Sequence, residues 1–380
     1  MASPSHNHKF PPLSRREFLG VMGMTAASLF AAGCQATSGG NVTVSAPTSV
    51  PIAQPAVSGS PSVAIVQATS YDPAHIRQQL RSLLDLLGGL KDVVHTGDRV
   101  AIKTNLTGGV GTAPLPGVSA IESYITHPEV VRALGEAVLD AGAKELFIVE
   151  SVYEDASWSE WGYKDVAKAL GATLVDLNKT SPYNEYTDVR VGDGSFLYDH
   201  FTLNRVLQDV DVFMSVPKMK CHNTAGITLS MKNLIGLVPA RLYRTSDRDN
   251  TRTAFHGDAS ESPQRIPHII VDLNRARPIH FALIDGIKTT EGGEGPWISR
   301  MQAKTANVLI GGTNPLATDT VATAVMGYDA TASSSEQPFN GADNHFALAA
   351  SKGLGTNKLA DIKVLGTAVK DVMTKFASSR

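Results

Sequence analysis

Residues Asp211–Asn223 read DVFMSVPKMKCHN, and the interpretation of this stretch decides the fold. Asp211–Val216 (DVFMSV) has the length and apolar density of a buried strand. Beyond Pro217, a chain that stays extended turns Lys218, Lys220 and His222 to one side and Met219 and Cys221 to the other. A buried strand that runs out into a basic, polar exit is what an α/β sheet presents at its carboxyl edge, where such sheets commonly place ligands.

Working outward, the same alternation of strand and helix fills the chain. Ser62–Ala68, Arg99–Lys103, Glu145–Glu150 and Thr173–Leu177 precede the decisive stretch as strands. Ile279–Ile284, Ala306–Ile310 and a strand around Ile362–Leu365 follow it. Asp72-Pro73 caps and starts a helix with Ile76, Leu80, Leu83, Leu84 and Leu87 on one face. Pro128 starts another over Val130, Val131, Leu134 and Val138, and Trp158–Leu170 forms the next. Thr224–Leu234, Arg265–Asn274, Leu316–Met326 and Asp343–Ala350 also read as helices. The expected fold is α/β, with a mainly parallel or mixed sheet and helices on both faces; strand order stays open. Residues 61–368 form the α/β domain, as one compact body or two interlocked lobes, and 369–380 a C-terminal tail.

The N-terminus reads as an address. Ser14-Arg15-Arg16-Glu17-Phe18-Leu19 resembles a twin-arginine export motif and leads into an apolar run from Leu19 to Ala32. That run is too short for an ordinary spanning helix and suits a processed signal. Ala31-Ala32-Gly33-Cys34 resembles a lipobox, which makes Cys34 the candidate lipidation site; simple cleavage nearby is the alternative. Residues 1–33 are therefore the signal segment, and 34–60 a Ser/Thr/Pro/Gly tether. The expected location is the periplasm or the outer face of the cytoplasmic membrane. The expected partners are the twin-arginine machinery and, through a lipid anchor, the membrane.

Composition removes several classes. The 380 residues carry 34 Lys+Arg against 36 Asp+Glu, a formal charge of -2. Binding dominated by nucleic-acid phosphates is not expected. Two cysteines cannot build an all-cysteine zinc site or an iron–sulfur cluster. Gly108-Gly109-Val110-Gly111 and Gly292-Gly293-Glu294-Gly295 fit neither the dinucleotide nor the Walker pattern, so no conventional NAD site is expected.

The candidate chemistry gathers at strand exits. Lys218 and Lys220, with Asn223 or Thr224 capping a following helix, form a receptor for carboxylate or phosphate. The competing reading is a solvated basic edge. Lys103, Asn105, Lys232 and Asn233 are further substrate-binding candidates. His222, Lys220 and Asp285 are the catalytic candidates, His222 because an imidazole titrates near neutral pH. Glu294, Asp319 and Asp285 are candidate ligands for a divalent cation. Cys221 is disfavoured as a nucleophile because strand alternation turns it away from Lys220 and His222. Arg241–Gln264 is either a lid over an acidic ligand or a surface insertion.

The ordered combination VAIKTN (Val100–Asn105), Thr126-His127-Pro128, SVPKMKCHNTAGITLSMKNLIG (Ser215–Gly236), LIDGIKTTEGGEGP (Leu283–Pro296) and NPLATDTVATAVMG (Asn314–Gly327) resembles the DUF362 family, a domain family of unknown function. The resemblance spans about Val63–Gly366. It maps the family's Lys-x-Lys-x-His and Lys-Asn-x-x-Gly motifs onto Lys218, Lys220, His222, Lys232, Asn233 and Gly236. Its Asp-Gly element falls on Asp285-Gly286, and its Glu-Gly-x-Gly-Pro element is matched only in part around Glu291–Pro296. Some relatives resemble iron–sulfur proteins through an added cysteine-rich module, which this chain lacks. The expectation is an exported enzyme acting on a small anionic or phosphorylated substrate, with a divalent cation as candidate cofactor. The alternatives are a non-catalytic envelope anion-binding protein and a protein-assembly factor.

Overall fold

The computed structural model describes residues 51–55, 59–182, 185–247 and 251–380. The twin-arginine-like motif, the apolar run and Cys34 lie outside the described residues. Twelve strands are described: β1 (Ser62–Gln67), β2 (Arg99–Lys103), β3 (Glu145–Glu150), β4 (Thr173–Asp176), β5 (Tyr186–Arg190), β6 (His200–Asn204), β7 (Val212–Ser215), β8 (Lys218–His222), β9 (Gly226–Thr228), β10 (Phe281–Glu291), β11 (Gln302–Gly312) and β12 (Lys363–Gly366). The main sheet runs β12-β1-β11-β10-β7-β2-β3-β4, with β8 and β9 attached through β10. From β10 through β7, β2 and β3 to β4 every pairing is parallel. Strand β11 runs antiparallel to both β10 and β1, and β12 is parallel to β1. The mixed α/β sheet is therefore the expected class.

Both faces of the sheet are covered, which explains why its central strands are apolar runs. On one face, Val100, Ile102, Leu146 and Ile148 pack beneath Ile76, Leu80, Val131 and Leu134 of the helices Pro73–Leu87 and Pro128–Asp140. On the other, Ala101, Phe147, Val149 and Phe213 meet Ile266, Ile270 and Leu273 of the helix Ser262–Ala276 and Val321 of the helix Pro315–Val325.

Strands β2 and β7 end together. Lys103 pairs with Ser215, and the Val216 N–H donates to Lys103 O at 2.8 Å. Beyond that rung β8 continues along β10, with Lys218 opposite Asp285 and Lys220 opposite Thr290. Lys103, Glu150 and Ser215 are each the last residue of their strand. The carboxyl edge thus carries the residues that alternate out of the core.

Two elements differ from expectation. Thr224–Leu234 is not a helix: β9 pairs antiparallel with β8, and Lys232–Leu237 is a 3-10 turn. The reason is local, since the His222 Nδ1 accepts the Thr224 and Ala225 N–H groups at 3.0 and 3.2 Å and closes a tight turn. Gly226 completes it at φ 80°, and a Cβ there would come within 2.9 Å of the Pro338 carbonyl oxygen. The helix start expected at Asn223 or Thr224 beside the basic cluster therefore does not form. Trp158–Leu170 is two helices, Ala156–Glu160 and Tyr163–Leu170, separated by Gly162 at φ 77°.

Candidate active site

Lys218 and Lys220 leave β8 on the same side, while Met219 and Cys221 enter the hydrophobic core as alternation requires. Lys218 is wholly buried and fully engaged. Its Nζ donates to Asp285 Oδ2 at 2.7 Å, the Tyr71 hydroxyl at 2.9 Å, Lys288 O at 3.0 Å and Ile121 O at 3.3 Å. Asp285 is equally occupied: it accepts from the Tyr71 hydroxyl at 2.8 Å and from the His127 N–H at 3.0 Å. The rings of Tyr71 and His127 stack with centroids 3.7 Å apart. Burial drives the Tyr71 phenol well above its ordinary range and the His127 imidazole down to about 4, so neither titrates near neutrality.

Lys103 forms a second closed locus. Its Nζ lies 2.6 Å from Glu150 Oε1 and donates to Thr104 O at 2.7 Å. Glu150 also accepts the Leu106 and Ser151 N–H groups, both at 2.9 Å. Asn233 braces this pair by donating to Lys103 O and to Ser215 Oγ. Gly236 leaves room for it, because a Cβ there would stand 2.6 Å from Glu150 Oε1 and 2.8 Å from Lys103 Nζ. Lys103 and Asn233 are thus neighbours of the site with their polar atoms already committed.

Lys220 is different. It is 1% exposed, and its Nζ donates only to backbone carbonyls, Tyr124 at 2.6 Å and Glu294 at 3.0 Å. Among the described residues no carboxylate lies within ion-pair distance of it, and burial lowers its pKa to about 7. Glu294 opposes that shift, while Lys232 and Lys218 add to it. Lys232 is half-buried, with no hydrogen bond or ion pair to its ammonium among the described residues, and burial lowers it to about 8. His222 is held well below its ordinary pKa, first by burial and then by Lys232 and Lys220. With Nδ1 accepting two backbone N–H groups, its proton sits on Nε2. The geometry therefore favours a neutral donor over the acid–base group expected from an ordinary imidazole.

Glu294 borders this locus with both oxygens engaged, by the Asn223 N–H at 2.9 Å and the Trp297 indole N–H at 3.1 Å. Trp297 also contacts Tyr124 edge-on, at 6.1 Å between centroids. Both glycine stretches meet it, since a Cβ on Gly108 or Gly295 would come within 2.6 or 2.2 Å of its ring. Asn105 lies at the exit of β2, its Oδ1 buried without a partner.

The three carboxylates proposed for a cation do not converge. Asp285 is paired with Lys218, whereas Asp319 accepts from the Ser230 N–H and hydroxyl at 2.9 and 2.6 Å and from the Met231 N–H at 2.9 Å. Burial pushes the Asp319 carboxyl up to about 7 against those bonds. Among the described residues no group of three or more His, Cys, Asp or Glu side chains could hold a metal ion. Burial pushes the Cys221 thiol up to about 11, and its Sγ contacts Ala377 O at 3.2 Å, which fits an inert thiol.

The structure adds residues that sequence reasoning did not single out: Tyr124, Arg252, His345 and Arg380. Arg252 came only as one of several arginines in a candidate lid. Arg380 donates through Nε to Asn223 O and through Nη1 to Asn340 O at 3.1 Å, which brings the C-terminal segment to the rim beside Glu294 and His222. No local spacing announces such long-range approaches. A separate groove of about 610 Å³, lined by Asp98, Asp211, Asn274 and His280, lies at the opposite, amino-terminal edge of the sheet and contains none of the predicted residues.

Residues 100–324 match the family described as a domain of unknown function, DUF362, over more than half of the chain. A thylakoid-associated protein of Synechocystis sp. is 30% identical over 237 residues, covering 62% of this chain and 65% of that protein. The chain thus spans just under two thirds of that relative's length. Among solved structures, the lactate racemase apoprotein from Thermoanaerobacterium thermosaccharolyticum matches with a TM-score of 0.37 and 12% identity, over 68% of this chain and 55% of that one. A protein from Thermotoga maritima matches with a TM-score of 0.32 and 11% identity, over 60% of this chain and 54% of that one. Likenesses this distant carry no argument about activity.

Proposed function

The chain belongs to the DUF362 family, and from that premise we propose that it is an enzyme that moves a proton on a small organic anion, with Lys220 as the proton-transfer group. One observation carries the reading: Lys220 is buried against carbonyls, without a carboxylate partner among the described residues, and is held near pH 7. A general base works best when its pKa lies near the operating pH, and a buried lysine is the side chain most readily tuned there. In this scheme Lys232 neutralises the substrate's anionic group and the His222 Nε2–H donates to it. The neutral Lys220 amine takes a proton from the substrate and returns it as the ammonium. Lys103, Asn233, Lys218 and Asp285 shape the walls. The described carboxylates do not fit a divalent cation, so no step is routed through one.

The address belongs to the same proposal. The Arg15-Arg16 motif and the apolar run support export to the periplasm by the twin-arginine route, and Ala31–Cys34 supports a lipid on Cys34. The intact mass of the processed protein tests this, since acyl groups on Cys34 add a characteristic increment.

For the activity, the full chain is incubated in D2O with a panel of small hydroxy- and oxo-carboxylates and phosphate esters. The expected result is deuterium incorporation at carbon, detected by NMR, that disappears in Lys220→Met while the thermal transition is kept. Exchange that persists in Lys220→Met overturns the role of Lys220. Anion binding without exchange across the panel favours the non-catalytic binding protein instead.

A further inference from the structure

We infer that the site takes a small dianion, a phosphate monoester or a dicarboxylate, held between Lys220 and a second set of donors at Lys232, Arg252 and His345. This rests on the reading of the site given above and adds the charge of its ligand.

The argument is one of unfilled valences and unbalanced charge. Arg252 is 8% exposed; its Nε donates to Val238 O at 3.0 Å, but its Nη2 is buried without a partner. His345 is 1% exposed, lies edge-on to Phe339 and Phe346, and its Nδ1 has no partner. Lys232 links the two, because its charge is felt by His345 and it feels the charge of Arg252. The hydroxyl of Tyr124, whose ring centroid lies 5.9 Å from Lys220 Nζ, is another buried polar atom left unpaired among the described residues. Folded proteins rarely leave such groups unsatisfied unless a ligand or water completes them.

The charges point the same way. Lys103 is matched by Glu150 and Lys218 by Asp285. Lys220 and Lys232 share the field of one further carboxylate, Glu294, which Arg380 also feels from the rim, and Arg252 adds its charge beside Lys232. With Lys220 as the neutral amine, Lys232, Arg252 and Arg380 still outnumber that one carboxylate by two, a surplus that a monoanion leaves partly uncompensated. An uncompensated buried charge is costly, so a ligand of charge near -2 is the complement. His345, which burial and Lys232 hold down at about 3, serves as a neutral hydrogen-bonding partner.

Calorimetry on the full chain tests this with four probes: inorganic phosphate, succinate and their singly charged counterparts, dimethyl phosphate and monomethyl succinate. The expected result is that one of the dianions binds about tenfold or more tightly than its monoanionic counterpart. Which dianion does so distinguishes a phosphate from a dicarboxylate ligand. The preference should collapse in Arg252→Gln and in Lys232→Gln, each with an unchanged thermal transition. Equal binding of dianion and monoanion, or an unchanged preference in both variants, overturns the inference and leaves the proton-transfer role of Lys220 standing. No binding of any of the four overturns the inference, while deuterium exchange in the wild type against Lys220→Met decides the proton-transfer reading separately.

Discussion

Lys218 and Lys220 stand two residues apart on one side of one strand, each buried and each roofed by a carbonyl of the same loop, Ile121 or Tyr124. They differ in what else surrounds them. Lys218 has a carboxylate at 2.7 Å and a phenol at 2.9 Å, so its charge is compensated and its donors are spent. Among the described residues the hydrogen-bond partners of Lys220 are carbonyls alone. The first arrangement holds β8 to β10 and to the loop carrying Tyr71; the second leaves an amine whose protonation is finely balanced. Equal burial therefore does not mean equal role, and the difference lies in the partner supplied from elsewhere in the chain.

The sharpest way to break the comparison is to remove each side chain's charge. Asp285→Ala strands the Lys218 ammonium in the interior and should cost about 3–5 kcal/mol in denaturant unfolding, as for other broken buried pairs. Lys220→Met, in contrast, removes a buried charge that has no carboxylate and should leave stability unchanged or raised while ending activity. Equal destabilisation by the two would erase the distinction. A smaller effect is expected when both members of the closed pair are replaced together. Lys218→Met combined with Asp285→Leu should recover much of the loss, giving a coupling of about 1–3 kcal/mol in a double-mutant cycle.

The two lysines also predict a pH signature. The folded-state pKa of Lys220, about 7, lies below its ordinary value of 10.5. Between those values the unfolded chain holds a proton that the folded chain has released, so wild-type stability rises with pH across that window. Below about pH 7 the cost of burying the ammonium is present in full. The stability of wild type minus that of Lys220→Met should therefore climb from pH 7 towards 10 and be flat below 7. A difference that is flat throughout would remove the shift. The smallest effect belongs to the exposed pair Lys288–Glu122, at 2.6 Å, where Lys288→Ala should change stability by about 0–1 kcal/mol.

Much of the fold was legible because it rests on local pattern. Arg99–Lys103 and Glu145–Glu150 are strands with the expected bounds, and the helix started by Pro73 is capped by Asp72 through the His75 N–H. The opposed faces of Lys218-Met219-Lys220-Cys221 followed from strand alternation. What failed depended on contacts far along the chain. The partner of Lys218 is 67 residues away and that of Asp319 is 89 residues away, so no spacing distinguished a structural carboxylate from a metal ligand. Thr224–Leu234 misled because its helical composition is overridden by the turn that His222 and Gly226 close. The same turn engages the His222 Nδ1, a contact that composition near the histidine does not display.

The central claim is that Lys220 is the uncompensated, near-neutral amine of this site. The most direct test is an NMR titration of the full chain with isotope-labelled lysine, using Lys220→Met to assign the ε resonance. The account predicts a midpoint near 7 for Lys220, rising when a bound anion supplies the missing charge. A Lys220 midpoint at the ordinary lysine value, unmoved by phosphate or succinate, would contradict it.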